Sequence, residues 1–289
     1  MQRPSVITVP HTPAARPVRR WSWRLLRIPV LAYLGILMVL LLLERSLIFI
    51  PTPYPAGNWQ EQPDDVEDVQ FAAADGTKLH GWYAAHDDPL AVVLYAHGNA
   101  GNITHRIDVL ERLHRDLHCT VLLFDYRGYG KSEGKPSEEG VLQDGRAARD
   151  WLAERAGVAK QDVVLMGRSL GTSVAVDLAA EAGARGLILY SGFPSIRDVA
   201  AYHYPWLPVR WVMRTRLDCI GKIQNYHGPL LQAHAEQDEV ITVELGRQLY
   251  EAAPMQQKTW FTLGASSHND PPPAAFYEAL RQFLIGLPL

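Results

Sequence analysis

The chain has 289 residues, enough for one large α/β domain or two small ones. Its formal net charge of -3, from 28 Lys and Arg against 31 Asp and Glu, argues against a nucleic-acid partner. The two cysteines, Cys119 and Cys219, suit neither a metal cluster nor a disulfide framework, and Cys119, opening an apolar run, reads as a buried thiol.

The first elements belong to the N-terminal segment. Residues 1–27 form a basic tail with six arginines (Arg3, Arg16, Arg19, Arg20, Arg24, Arg27) and no acidic residue. Residues 28–50 then read as a transmembrane anchor. At about 1.5 Å per residue they reach about 34 Å, although the uninterrupted apolar run, Ile28 to Leu43, covers only about 24 Å. A span therefore needs Glu44 and Arg45 to extend their charges into far headgroups, with Trp21 and Trp23 in the near interfacial belt. The charge asymmetry predicts a cytoplasmic N-terminus and a translocated catalytic body, periplasmic if the source is bacterial. No small-residue cleavage site follows the run directly, and no cysteine is placed to take a lipid, so an uncleaved anchor is the expectation.

Residues 51–65, rich in proline, glycine and charge, read as a linker. From residue 66 onward, short apolar runs alternate with amphipathic stretches. The expected strands are "VEDVQF", "KLHGWYA", "LAVVLYAHG", "CTVLLFDY", "DVVLMGRS", "GLILYSGF", "PLLQAHAE" and "KTWFTLGA". Helical patterns such as "THRIDVLERLHRD", "EEGVLQDGRAARDWLAERAG" and "VELGRQLYEAA" separate many of them. Continuous Val/Leu/Ile strands between helices predict an α/β domain over 66–289, a mostly parallel eight-stranded sheet with helices on both faces. The first two strands, joined across "AADGT", read as an antiparallel hairpin at one edge. The segment 194–227 is longer than one helix requires and carries Tyr204, Trp206 and Trp211 among basic residues. It reads either as a small helical lid whose aromatic side chains bind substrate, or as a pair of ordinary surface helices.

The chemistry centres on "GRSLG". Ser169 stands between Gly167 and Gly171, after an apolar strand and before a helical pattern. A sharp strand-to-helix turn would lift its hydroxyl clear of the sheet, where a base can activate it as a nucleophile. In this type of turn the acid and then the histidine follow the serine in the chain. Of the later histidines, His234 lies inside a strand, whereas His268 in "GASSHND" follows the last strand at the carboxyl edge of the sheet. His268 is therefore the expected base. Asp238 in "QDEVI" is the expected acid, with the adjacent Glu239 in reserve. Oxyanion donors are expected from the backbone N–H of Leu170 and from that of Asn99 in "HGNAGN", with Ala100 in reserve and Gly98 allowing close approach. No residue pattern calls for a metal or an organic cofactor.

Five stretches together, "HGNAGN", "FDYRGYGKSEG", "GRSLGTSVAVDLA", "HAEQDEVI" and "SSHND", resemble the α/β-hydrolase superfamily over 66–289. The branch they resemble most includes membrane-anchored serine hydrolases such as protein depalmitoylases and monoacylglycerol or lysophospholipid lipases. The resemblance implies a Ser169–His268–Asp238 triad, an acyl-enzyme, an ester or thioester substrate of lipid-like or acylated type, and the bilayer as a partner. Two departures stand out: "GASSH" is one residue longer than the family's usual glycine-x-glycine-histidine, and Ala235 stands where glycine is usual. The competing readings are a serine peptidase of the same fold and a catalytically silent, membrane-tethered binding protein.

Overall fold

A computed structural model describes residues 21–288. The basic tail before residue 21, and the side chains of Trp21, Trp23 and Arg24, lie outside the described residues. Two units are distinguished, one ending at Leu42 and one running from Leu43 to the end. The first contains helix α1 (Trp21–Leu42), in which Leu31, Met38 and Leu42 are exposed.

The second unit opens with a short helix, α2 (Glu44–Ile48), and then builds an eight-stranded sheet. Its elements in chain order are β1 (Glu67–Ala72), β2 (Lys78–Ala84), β3 (Val92–Ala96), α3 (Ile107–Glu111), β4 (Thr120–Asp125), α4 (Glu138–Ala156), β5 (Val164–Arg168) and α5 (Leu170–Ala182). There follow β6 (Gly186–Tyr190), α6 (Ile196–His203), α7 (Val209–Val212), α8 (Cys219–Ile223), β7 (Leu230–His234), α9 (Val243–Ala252), β8 (Lys258–Thr262) and α10 (Ala274–Ile285). The strand order is β1-β2-β4-β3-β5-β6-β7-β8. The hairpin β1–β2 and the β2–β4 pair are antiparallel, and every other pairing is parallel.

Burial explains the strand sequences. Every residue of β3, β4, β6 and β7 is buried, because helices cover both faces, and such strands read as unbroken apolar runs. Alternate residues feed two cores. Leu94, Leu122 and Leu165 pack with Leu152 of α4 and Val174 of α5, whereas Tyr95, Leu123 and Met166 pack with Leu110 of α3 and Phe276 of α10. Helix α4 starts where Ser137 accepts the Gly140 N–H and stops at Gly157, whose φ of 67° is a left-handed cap. Cys119 and Cys219 are both buried free thiols, and burial pushes the Cys119 pKa up to about 12.

The N-terminal expectation needs correcting. Residues 28–50 are not one helix: α1 stops at Leu42 and α2 starts at Glu44. Among the described residues no helix is long and apolar enough to cross a membrane. The reason lies in the side chains after the break. Glu44 is buried and its carboxylate accepts the N–H of Arg214 (3.1 Å) and of Thr215 (2.7 Å), so its charge is satisfied by the folded unit instead of by headgroups. Phe49 is 2% exposed within the core. The stretch 51–65, expected as a linker, is also fastened. Pro51 bridges Gly101, Pro53 bridges Gly130, and the Asn102 amide donates to the carbonyls of Thr52 and Ala56.

Candidate active site

Strand β5 ends at Arg168 and α5 begins at Leu170, leaving Ser169 alone at the corner with φ 50° and ψ -119°. Positive φ in a serine is strained and persists only where surrounding contacts fix it. Here the Ser169 N–H donates to the Tyr190 carbonyl at 2.9 Å, and Thr172 donates both its N–H and its hydroxyl to the Ser169 carbonyl. The flanking glycines serve packing more than exposure of the hydroxyl. A Cβ on Gly171 would lie 1.9 Å from the Ala96 carbonyl oxygen, and one on Gly167 would lie 2.4 Å from the Gly171 oxygen. Helix and strands approach so closely that only hydrogen fits.

The other two expected groups come to the same corner. His268 Nε2 lies 3.1 Å from Ser169 Oγ, and His268 Nδ1 lies 2.9 and 2.8 Å from the two carboxylate oxygens of Asp238. Asp238 Oδ1 also accepts the N–H groups of Val240 and Ile241 at 3.0 and 2.7 Å. Burial alone would raise the Asp238 pKa, but the bond and charge of His268 and the Ile241 N–H outweigh it and hold the carboxyl below its ordinary value. An ionised Asp238 makes Nδ1 the protonated nitrogen and leaves Nε2 bare toward the hydroxyl. Among the described residues, adjacent Glu239 meets only the backbone: its carboxylate accepts the His268 N–H at 3.2 Å. His234 is fully buried, its Nε2 donating to the Ile241 carbonyl at 2.8 Å while the ring stacks on Trp260. Burial lowers its pKa.

The loop after β3 passes in front of the serine. Among the described residues neither the Leu170 nor the Asn99 backbone N–H donates to a protein acceptor; Leu170 opens α5, where the first N–H groups have no partner within the helix. The Asn99 side chain is occupied: its oxygen accepts from the Ile50 N–H and the Tyr129 hydroxyl, and its amide donates to the Ile48 carbonyl at 2.5 Å. Gly98 is less constrained than expected, since a Cβ there would meet Ser169 Cβ at an ordinary 3.5 Å. His97 is fully buried, donating from Nδ1 to the Gly98 carbonyl, and burial brings its pKa down to about 3.

A cavity of about 370 Å³ opens on Ser169 and His268. From the 194–227 segment it takes Ile196 and Val199, whereas Tyr204, Trp206 and Trp211, expected as substrate-binding groups, are not among its lining residues. Those three follow α6 toward the surface and are 51, 60 and 89% exposed. Sequence reasoning missed several lining residues, Ile48, Ile50, Arg106 and Arg168 among them. Ile48 and Ile50 were assigned to the membrane because hydropathy registers an apolar run and not its docking surface. Arg106 and Arg168 carried a sequence signal only at 168, the position directly before the serine. Among the described residues no group of three or more His, Cys, Asp or Glu is placed to hold a metal ion.

A mostly parallel eight-stranded sheet, with a strained serine between a strand and a helix at its carboxyl edge, defines a hydrolase architecture of the α/β type. The family model described as alpha/beta hydrolase fold matches residues 91–220. The chain is 35% identical to the uncharacterized protein Rv2307c of Mycobacterium tuberculosis, over 86% of this chain and 90% of that one. It is 31% identical to the uncharacterized membrane protein YNL320W of Saccharomyces cerevisiae, over 84% and 89% of the two chains. The esterase Pf2001 of Pyrococcus furiosus superposes with a TM-score of 0.68 at 20% identity, covering 82% of this chain and 99% of that one. The chain belongs to the α/β-hydrolase superfamily.

Proposed function

We propose that this chain is a serine hydrolase that cleaves carboxylic esters or thioesters through an acyl-enzyme. The observation that carries the reading is the unbroken chain of hydrogen bonds from Ser169 Oγ through His268 to Asp238. In this reading the bare Nε2 of His268 takes the hydroxyl proton as Oγ attacks the ester carbonyl. Asp238 holds the ring in that tautomer and stabilises the imidazolium. The N–H groups of Leu170 and Asn99 meet the negative charge that develops on the carbonyl oxygen. His268 then gives its proton to the leaving alcohol or thiol, and Ser169 keeps the acyl group. Water, deprotonated by the same nitrogen, attacks the acyl-enzyme and restores the hydroxyl.

A fluorophosphonate probe tests the reading directly. Wild type is expected to be labelled and to release p-nitrophenol from short-chain p-nitrophenyl esters, and Ser169→Ala to do neither. Correctly folded wild type that resists the probe and hydrolyses no ester overturns the proposal.

The N-terminal segment supports a second, separate assignment, attachment to a membrane through α1. Its exposed apolar side chains, the arginines before it and the name of the yeast relative, a membrane protein, support this. Co-sedimentation with anionic vesicles is expected for the full chain and not for a chain starting at Leu43; equal behaviour of the two would refute it.

A further inference from the structure

The cavity at Ser169 has two chemically different ends. Ile196, Val199, Val240 and Ile241 line it with hydrocarbon, and Arg106 and Arg168 bring two guanidinium groups. Only the arginine end continues into a wider neighbouring groove of about 760 Å³, which shares Arg106, Arg168 and Asn269 and none of the four aliphatic residues. Among the described residues lining the cavity at the serine there is no carboxylate; Asp108, Glu111 and Asp116 line the neighbouring groove, and none of them pairs with Arg106 or Arg168.

Neither arginine forms an ion pair with a described residue. Arg106 donates only to the backbone carbonyls of His105 (3.1 Å) and Ala100 (2.6 Å), and its Nε is buried without a partner. Arg168 donates from a single nitrogen, Nη2, to the carbonyls of His268 (2.9 Å) and Asp270 (3.4 Å), with its guanidinium 4.9 Å from the Tyr190 ring centre. Arg127 shows the contrast: its guanidinium is matched by Asp144 and Asp75. A guanidinium carries five N–H donors, so both arginines keep unused ones. Burial lowers the Arg106 pKa, and the Arg168 charge acts in the same direction, so the two cations sense each other. Two neighbouring cations, neither held in an ion pair although the charge of buried Asp125 also acts on Arg106, leave an electrostatic demand that an anion entering the site would relieve.

We propose that Arg106 and Arg168 form a subsite for an oxyanion, carboxylate or phosphate, carried on the leaving-group half of the ester. The acyl half then lies along Ile196, Val199, Val240 and Ile241, with the scissile carbonyl between the two ends at Ser169. This assignment rests on the serine hydrolase reading above and adds the substrate class to it. The arginines also tie down the loops bearing Ala100 and His268. A purely supporting role would lower turnover of all esters alike, whereas an anion subsite changes the preference among them.

The test compares three butyrate esters on the full chain, those of meta-hydroxybenzamide, meta-hydroxybenzoate and meta-hydroxyphenyl phosphate. The amide ester is the neutral reference, and the other two separate carboxylate from phosphate recognition. Wild type is expected to favour at least one anionic ester in kcat/KM by about tenfold or more, a margin that added salt reduces. Arg106→Gln and Arg168→Gln are each expected to reduce that margin by roughly tenfold, the effect of one lost charge-assisted hydrogen bond. Damage to the loops cancels in the ratio. Arg106→Lys and Arg168→Lys, which keep the charge, are expected to retain part of the margin and serve where a glutamine variant does not fold. Hydrolysis of the neutral ester without an anion preference, or a preference that survives both glutamine substitutions, overturns the subsite alone. A wild type that takes the fluorophosphonate label but hydrolyses none of the three also overturns the subsite alone, whereas failure both to take the label and to hydrolyse any ester overturns the serine hydrolase reading and this one with it.

Discussion

Replacing Asp238 by asparagine tests the orienting role proposed for this carboxylate apart from its structural one. Oδ1 accepts three N–H groups, from Val240, Ile241 and His268, and Oδ2 accepts the His268 Nδ1–H at 2.8 Å. An asparagine keeps its single oxygen where the two backbone N–H groups converge, which places its NH2 at the Oδ2 position. An Nδ1–H would then face this NH2, a donor against a donor, with only a share of the retained oxygen that two backbone N–H groups already occupy, so the favoured arrangement has Nδ1 accept from the NH2 and Nε2 carry the proton. Nε2–H then points at Ser169 Oγ across 3.1 Å and cannot accept the hydroxyl proton. The wrong tautomer and the lost imidazolium partner together predict a fall in kcat of about 10⁴, or about 5.5 kcal/mol, by comparison with equivalent changes in other triads. The assay is steady-state hydrolysis of p-nitrophenyl butyrate by Asp238→Asn, with circular dichroism to verify folding. Glu239→Gln, whose oxygen still accepts the His268 N–H, is expected to stay near wild type. A folded Asp238→Asn protein within about tenfold of wild type would refute the assignment of tautomer control to this residue.

Other outcomes follow from the same geometry. Gly171→Ala places a Cβ 1.9 Å from a backbone oxygen that has no room to move, so about 3 kcal/mol of stability and most activity are expected to be lost; Gly98→Ala, with only a 3.5 Å contact, is expected to remain within about 1 kcal/mol, both measured by urea unfolding. Glu44→Ala leaves the Arg214 and Thr215 N–H groups without their acceptor and is expected to destabilise by about 2–4 kcal/mol; no change in the unfolding midpoint would mean that the second unit does not depend on this carboxylate. His97 stays unprotonated in the fold down to about pH 3, whereas the unfolded chain binds that proton from about pH 6.5. Because the unfolded state takes up more protons in this window, stability falls as pH falls through it, by up to about 1.4 kcal/mol per pH unit from this group. His97→Gln is expected to flatten the acid limb of the stability–pH curve by that slope, and an unchanged limb would refute the buried, neutral assignment.

Much of this arrangement was legible in the sequence for reasons that can be stated. Buried parallel strands leave unbroken apolar runs, and β2 coincides with the expected "KLHGWYA". That Ser169, His268 and the loop holding Asp238 and Glu239 come together was legible because each follows a strand, at a position that chain order defines. The choice between Asp238 and Glu239 was not legible. It depends on the two N–H groups that hold the Asp238 carboxylate in place, a loop geometry without a residue pattern. Nor could hydropathy tell membrane-directed from core-directed residues where they adjoin, so Phe49 was read with the segment it follows. The aromatic residues after α6 attracted attention by type, whereas cavity lining is set by which side of α6 faces the serine, and that side carries Ile196 and Val199. Arg106 and Arg168 are distant in the chain and meet only because the ends of β3 and β5 are neighbours in the sheet.

The clasp between Asn99 and the residues around Ile48 and Ile50 has a consequence for how such chains can be altered. The cavity at Ser169 borrows part of its wall from ahead of the first strand, and the same asparagine that grips this wall belongs to the loop facing that serine. Grafting a relative's leader onto this body, or trimming it past position 48, therefore redraws the chamber itself. Its effects would be registered first as changed selectivity among esters and only second as changed yield or solubility.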